Sequence, residues 1–176
     1  IEKLCDDIDL SNQAFPFMDW RDGTVADIKA RIFRISFTGE LSFEVNVPAY
    51  YGRCMWEKLI EAGEEFGITP YGTEAMHVLR AEKGFIIVGQ DTDGSMTPHD
   101  VNMGWVVGKN KAFSFLGKRS LERSDCQREG RKQLVGLKTL DPQQVLPEGA
   151  QIVDDPNQAI PMAMQGHVTS SYYSAN

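Results

Sequence analysis

Alternating apolar and polar positions organise the first part of the chain. Residues 24–36 alternate with the two-residue period of a half-buried strand, and residues 43–47 repeat that pattern in a second strand. Gly39 lies between them, where its freedom to adopt positive φ suits a turn. Ahead of these strands, residues 9–18 are expected to begin a short helix that Pro16 ends.

The period then lengthens to that of a helix. Residues 50–66 predict an amphipathic helix that breaks near Gly63 and Gly67. Its apolar stripe consists of Tyr51, Met55, Leu59 and Ala62. A second helix is expected over residues 73–83, with its first residue, a threonine, as the N-cap and Gly84 closing it.

The remainder of the chain indicates loops and then strands. Residues 89–104 have a loop composition, and strand-like runs follow over 133–140, 151–153 and 167–172. Because helices and strands occupy different stretches, the pattern favours an α+β fold. We expect residues 1–125 to form one domain, with helices and a mixed or antiparallel sheet, and residues 126–176 to begin a β domain.

Composition and charge narrow the class of protein. The 176 residues are 41% hydrophobic and 24% charged, as in a globular domain, and the net charge of −7 argues against a nucleic-acid partner. No apolar run reaches the roughly 18 residues of a membrane span, and the charged start carries no export signal. A cytoplasmic protein without membrane contact is therefore expected, and both ends of the chain are expected to be cut from a longer protein.

Metal and nucleotide motifs are missing from the sequence. Cys5, Cys54 and Cys126 are far apart and form no CxxC pair, so we expect small buried or half-buried thiols and no metal site. The sequence contains no GxGxxG fingerprint and no GxSxG nucleophile elbow. Trp105 is expected in the core.

Two charged side chains are candidates for ligand binding. Glu44 lies on the strand face opposite Phe43 and Val45. Its carboxylate is either an ordinary surface group or an acceptor for the adjacent N–H donors of an amino-pyrimidinone ring. Arg80, on the second predicted helix, is either an ion-paired structural residue or a clamp for an anionic ligand. The residues alone leave these alternatives open.

Short motifs around these residues follow one another along the chain. They are Phe37-Thr38-Gly39-Glu40-Leu41-Ser42-Phe43-Glu44, Leu79-Arg80-Ala81-Glu82-Lys83-Gly84, Gly89-Gln90-Asp91, Thr97-Pro98-His99-Asp100, Gly104-Trp105, Phe115-Leu116-Gly117-Lys118 and Gly166-His167-Val168-Thr169-Ser170. Their order and spacing resemble the glycine-cleavage T-protein family of folate-dependent aminomethyltransferases. Residues 34–41, 71–80 and 166–172 are similar to one branch of that family, the alpha subunits of heterotetrameric sarcosine oxidases. Phe37 supports this branch because T-proteins carry a tyrosine there.

The resemblance implies a tetrahydrofolate-binding domain followed by the start of a C-terminal β-barrel domain. It makes Glu44 the contact to the pterin edge, Arg80 a second folate contact and Phe37 a stacking surface, while the family's catalytic aspartate lies on an earlier segment. It also implies an enzyme that uses sarcosine oxidation to form 5,10-methylenetetrahydrofolate, with other sarcosine oxidase subunits as partners. FAD, FMN and NAD are expected elsewhere in such a complex, and this stretch alone is expected to be inactive.

Two other functions remain open at this point. A T-protein of glycine cleavage shares these motifs, but it binds a lipoyl carrier protein. A non-catalytic domain of the same fold would serve only in subunit assembly. Tetrahydrofolate binding separates the assembly domain from the two enzymes.

Overall fold

The computed structural model describes residues 1–108 and 110–176, which form two compact units. The first unit spans Ile1–Lys83 and the second spans Gly84–Asn176. Helices and antiparallel strands occupy different stretches of the chain, which confirms the predicted α+β class. The domain boundary expected after residue 125 stays a prediction.

An antiparallel sheet organises the first unit. Its strands, in spatial order, are β1 (Trp20–Val25), β2 (Ile28–Phe33) and β3 (Glu44–Asn46). Ala26 and Asp27 join β1 to β2 with φ angles of 50° and 63°, which fit a two-residue hairpin turn. The strand predicted over residues 24–36 is confirmed in part, since β2 lies within it, but the chain reverses at Ala26 and Asp27 and the first residues belong to β1.

One face of this sheet is buried in the core of the first unit. Along β2, three apolar residues are buried and alternate with an exposed lysine and an exposed arginine. The buried residues of this core are Cys5, Leu10, Phe15, Val25, Ile28, Ala30, Ile32 and Met55. The ring of Phe15 lies 5.8 Å from that of Phe43, centroid to centroid. Only a turn precedes Phe15 in place of the predicted helix, because Pro16 has no N–H with which to continue one.

The two helices of the first unit follow the predicted pattern closely. Helix α1 (Gly52–Gly63) buries Met55 and continues as a 3₁₀ turn over Glu64–Phe66. Helix α2 (Thr73–Glu82) ends before Gly84, which has a φ of 75°. The predicted threonine cap is wrong, because Gly72 takes the N-cap position and no side chain that the structure describes caps the helix.

The second unit contains little regular structure. Its elements are the short helices α3 (Lys118–Leu121) and α4 (Ser124–Gln127), a 3₁₀ turn over Gly104–Val106, and the paired strands β4 (Gln151–Ile152) and β5 (Gly166–His167). The strand predicted over 133–140 does not form in the described part of the chain. Val135 and Leu137 in that stretch are 64% and 71% exposed, and none of the described strands pairs with it to complete a ladder.

Two burial predictions are corrected by the structure. Trp105 is 78% exposed rather than in the core, because it lies on an isolated 3₁₀ turn. Cys54 is exposed, whereas Cys5 is buried and Cys126 is half-buried, as expected. Cys54 directly precedes the buried Met55 on α1. Because successive side chains of an α-helix point about 100° apart around its axis, the Cys54 side chain points away from the core. Among the described helices, none has the length and apolar character required to cross a membrane.

Candidate functional site

The connection between β2 and β3 carries the predicted ligand-binding residues. Residues 34–43 lie outside the sheet, whose ladder stops at the pair formed by Phe33 and Glu44. Within this connection Thr38 is buried, whereas the Phe37 ring is 40% exposed. The structure therefore exposes an aromatic side chain in this connection, seven residues before Glu44, with which β3 begins.

Glu44 is the first residue of β3, and its side chain is exposed. Phe43 and Val45, its neighbours, pack against the core. The strand alternation thus turns Glu44 to the opposite face, as the pattern predicted. No residue that the structure describes forms a hydrogen bond or an ion pair with the Glu44 carboxylate. This carboxylate is accessible to a ligand, and its role as a ligand contact stays a prediction.

The other glutamate of the same motif has a partner. Oε1 of Glu40 lies 2.6 Å from Nζ of Lys83, which directly follows α2. The aliphatic part of Lys83 also packs over Gly39, where a β-carbon would lie 2.7 Å from its Cγ. Gly39 has a φ of 79°, a second reason for glycine at this position. These contacts fasten the β2–β3 connection to the end of α2.

Arg80 lies on α2, three residues before Lys83, and is 2% exposed. The structure therefore brings the connection that carries Phe37 to the helix that carries Arg80, and Lys83 makes the contact. Arg80 is buried, a depth that the helical pattern around it did not predict. Its part in folate binding stays a prediction, as does that of Phe37.

Ser36 contributes an unusual polar atom to the same connection. Its Oγ is buried and has no hydrogen-bond partner among the residues that the structure describes. A buried hydroxyl without a partner loses its hydration and gains nothing in return. It is therefore a candidate donor or acceptor for a group that the described chain does not itself supply.

Replacement of Ser36 by alanine is expected to leave the protein as stable or stabilise it by about 1 kcal/mol, because it removes an unsatisfied buried hydroxyl. Urea unfolding of the wild-type protein and the Ser36→Ala variant measures this. Ser42→Ala, in the same connection, is the matched control. A loss of stability that exceeds the control's by more than about 1 kcal/mol would show that the hydroxyl has a partner within the fold.

In the second unit, two distant motifs meet at Asp91. Oδ1 of Asp91 accepts hydrogen bonds from the Thr169 and Ser170 hydroxyls, each at 2.6 Å, and Oδ2 accepts one from the amide of Ile87 at 2.8 Å. The side-chain amide of Gln90 donates to the Ser170 hydroxyl at 3.2 Å. The Gly-x-Asp loop and the Gly-x-Val-Thr-Ser segment thus form one polar contact that orders this unit.

Asp100 is the centre of a second polar contact. Its carboxylate is 2% exposed and receives two bonds from Arg131, Nε to Oδ1 at 2.9 Å and Nη2 to Oδ2 at 2.6 Å. The amide and hydroxyl of Thr97 donate to Oδ2 at 2.7 and 2.9 Å. The Arg131 guanidinium is the main cause that holds the pKa of Asp100 well below its usual range, and the Thr97 bonds add to it. The same pairing raises the pKa of Arg131.

These two aspartates connect distant parts of the chain, because each accepts hydrogen bonds from residues outside its own motif. Asp91 and Asp100 both lie in motifs that carry the resemblance to the T-protein family. Arg131 lies outside every such motif and is 31 residues from its partner. No local pattern in the sequence marked Arg131, because the pairing depends on the tertiary fold.

Comparisons with known proteins agree with this structure. Residues 1–111 match the family model described as the GCVT N-terminal domain. The chain is 53% identical over 177 residues to the sarcosine oxidase subunit alpha of Corynebacterium sp. (strain P-1), an alignment that covers 99% of this chain and 18% of that protein. It is 31% identical over 174 residues to the mitochondrial dimethylglycine dehydrogenase of Mus musculus, covering 99% of this chain and 19% of that protein.

A third relative is an aminomethyltransferase of Caldanaerobacter subterraneus subsp. tengcongensis, 32% identical over 175 residues, with 99% of this chain and 44% of that protein covered. The chain therefore spans less than half the length of each of these three relatives. Both the family and its sarcosine oxidase branch match the resemblance carried by the motifs, which is thereby confirmed. The chain belongs to the GCVT N-terminal domain family.

Proposed function

We propose that this chain binds tetrahydrofolate as a segment of a sarcosine oxidase alpha subunit. The observation that carries the proposal is the Glu44 carboxylate, which is exposed and has no partner among the described residues, within a family motif. The sarcosine oxidase relative supports the choice of enzyme, because it is 53% identical to the chain, against 31% and 32% for the dehydrogenase and the aminomethyltransferase.

The residues of the β2–β3 connection fit one edge of a pterin ring. A carboxylate accepts two parallel N–H bonds, and the amino-pyrimidinone edge presents two such donors side by side. The exposed ring of Phe37 offers an apolar surface for stacking, and the Ser36 hydroxyl is a further polar group nearby in the chain. Arg80 is proposed as a second folate contact, one that the ligand would reach below the surface.

The chain's proposed contribution to the reaction is orientation. When bound, tetrahydrofolate would supply the two amines that bond to the one-carbon unit of oxidised sarcosine. Glycine would leave if that unit arrives as the imine, and water if it arrives as formaldehyde, to give 5,10-methylenetetrahydrofolate. Glu44 would fix the pterin edge and so the direction in which those amines point, which raises their effective concentration at the one-carbon unit. The acid or base group is proposed to be the family's aspartate on an earlier segment.

Other components of the proposed enzyme lie outside this chain. Other sarcosine oxidase subunits are proposed as partners, with FAD, FMN and NAD bound outside this chain. We also propose that residues 126–176 begin the C-terminal β-barrel domain of the family, with β4 and β5 as the part already paired.

Calorimetric titration of the native protein that carries this chain tests the proposal. We expect tetrahydrofolate to bind and p-aminobenzoylglutamate, which lacks the pterin ring, to bind at least about tenfold more weakly, because the pterin makes the hydrogen bonds to the protein. Failure of a folded protein to bind tetrahydrofolate would contradict the proposal and favour an assembly domain. Binding of a lipoyl carrier protein would favour the glycine-cleavage alternative.

A further inference from the structure

We propose that the Glu40–Lys83 ion pair is a positioning contact for the ligand-binding connection between β2 and β3. The inference rests on the proposed function, because the group that it positions is the proposed pterin site. Glu40 and Lys83 do not themselves contact the ligand in this proposal. They hold the backbone from which Phe37 and Glu44 present their side chains.

The backbone of Arg34 still bonds to Met18 and Asp19, but residues 35–43 lie outside the described sheet ladder, so strand pairing does not determine their position. Thr38 is buried and anchors the chain just after Phe37. Beyond Thr38, the side chain of Lys83 packs over Gly39 and pairs with Glu40 at 2.6 Å. One lysine at the end of α2 therefore contacts two successive residues of the connection.

The Glu40–Lys83 pair acts on the position of the connection more than on the stability of the fold. The side chains of Lys83 and Glu40 are 46% and 66% exposed. An ion pair with this exposure contributes little to the free energy of unfolding, because solvent screens it and both side chains lose freedom. Its consequence is local, since it favours one arrangement of the stretch between the buried Thr38 and the start of β3.

Glu40 and Glu44 are the two glutamates of the motif. They lie four residues apart and differ in their partners. Glu40 is paired with Lys83, whereas no described residue pairs with Glu44. This division lets one carboxylate hold the segment and leaves the other for the ligand.

Charge reversal in the native protein tests the inference. The variants are Glu40→Lys, Lys83→Glu and the double variant that exchanges the two charges. The matched control is Lys58 and Glu61 on α1, a pair at 3.1 Å whose side chains are 50% and 71% exposed, reversed in the same way. The readouts are the dissociation constant for tetrahydrofolate and hydrogen–deuterium exchange of residues 34–43.

We expect each single reversal at Glu40 or Lys83 to weaken tetrahydrofolate binding about fivefold, which corresponds to the upper end of the interaction free energies of exposed ion pairs. Each should also speed hydrogen–deuterium exchange in residues 34–43. The double variant should restore both readouts, and the control variants should change neither. Unchanged affinity in the single variants of a protein that binds tetrahydrofolate would overturn the inference and leave the proposed function standing. If the wild-type protein does not bind tetrahydrofolate, the proposed function fails and the positioning role fails with it.

Discussion

Replacement of Arg131 by alanine is expected to destabilise the second unit by about 3–5 kcal/mol, the range for removing one partner of a buried ion pair. The Arg131 side chain is 10% exposed, and Asp100 is 2% exposed. Without the guanidinium, the Asp100 carboxylate stays buried with only the Thr97 and Gln133 bonds to compensate its charge. Urea unfolding measures the change, and exchange of the Leu134 amide, which donates to the Asp100 carbonyl at 2.8 Å, localises it.

A neighbouring arginine provides the control. Arg128 pairs with Asp125 at 2.9 Å, but the two side chains are 55% and 68% exposed. Arg128→Ala is therefore expected to change stability by less than about 1 kcal/mol. Equal effects of Arg128→Ala and Arg131→Ala would contradict the structural role assigned to the buried pair.

The same pair predicts how stability depends on pH. The pKa of Asp100 is lowered in the folded protein, so its contribution is fully present above the unfolded value of about 4. As pH falls below that value, the unfolded chain takes up a proton that the folded protein still excludes, and stability declines until the pH passes the folded pKa. The loss should be smaller in Arg131→Ala, because without the guanidinium the two pKa values lie closer together.

Replacement of Glu44 by glutamine is expected to weaken tetrahydrofolate binding about 10- to 100-fold, because a hydrogen bond to a charged group contributes about 1.5–3 kcal/mol. The glutamine amide keeps the size of the side chain but presents one acceptor and one donor group to a ligand edge that carries donors. Stability should not change, since Glu44 is exposed and has no described partner. In the active enzyme, KM for tetrahydrofolate should rise by a larger factor than kcat falls, because Glu44 is proposed to bind the pterin edge and not the reacting amines.

Glu57→Gln on α1 is the matched control for this substitution. Glu57 is exposed and pairs with Arg53 within the helix, so its replacement also removes one surface charge. Tetrahydrofolate affinity should equal that of the wild-type protein. A comparable loss in both variants would show that the effect comes from net charge and not from a contact at Glu44.

Local patterns predicted the helices well, because the relevant interactions are close in sequence. The apolar stripe that includes Met55 and Leu59 follows the helical period, and Gly84 marks the end of α2. The hairpin between β1 and β2 was not predicted, although the sequence pattern contains a sign of it. Val25 and Ile28 are both buried, and since they lie three residues apart, they interrupt a strict two-residue period.

The predicted site shows the same division between local and tertiary information. The face of β3 on which Glu44 lies follows from the alternation of its neighbours and could be predicted. The burial of Arg80 could not be predicted, because it depends on which residues pack against α2. The contact between Lys83 and Glu40 joins residues 43 positions apart and has no local signal. The strand predicted over 133–140 failed because a strand requires a partner, which the pattern of one segment does not reveal.

The most direct test of the folate site is a double-mutant cycle between Glu44 and the ligand edge. Tetrahydrofolate and an analogue without the 2-amino group are titrated into the wild-type protein and into Glu44→Gln. If the carboxylate accepts a hydrogen bond from that amino group, removal of the amino group weakens binding strongly in the wild-type protein and little in Glu44→Gln. The coupling free energy between the two changes is then expected to be at least about 1 kcal/mol. Additive effects, with the same loss in both proteins, would contradict placement of the pterin edge on Glu44.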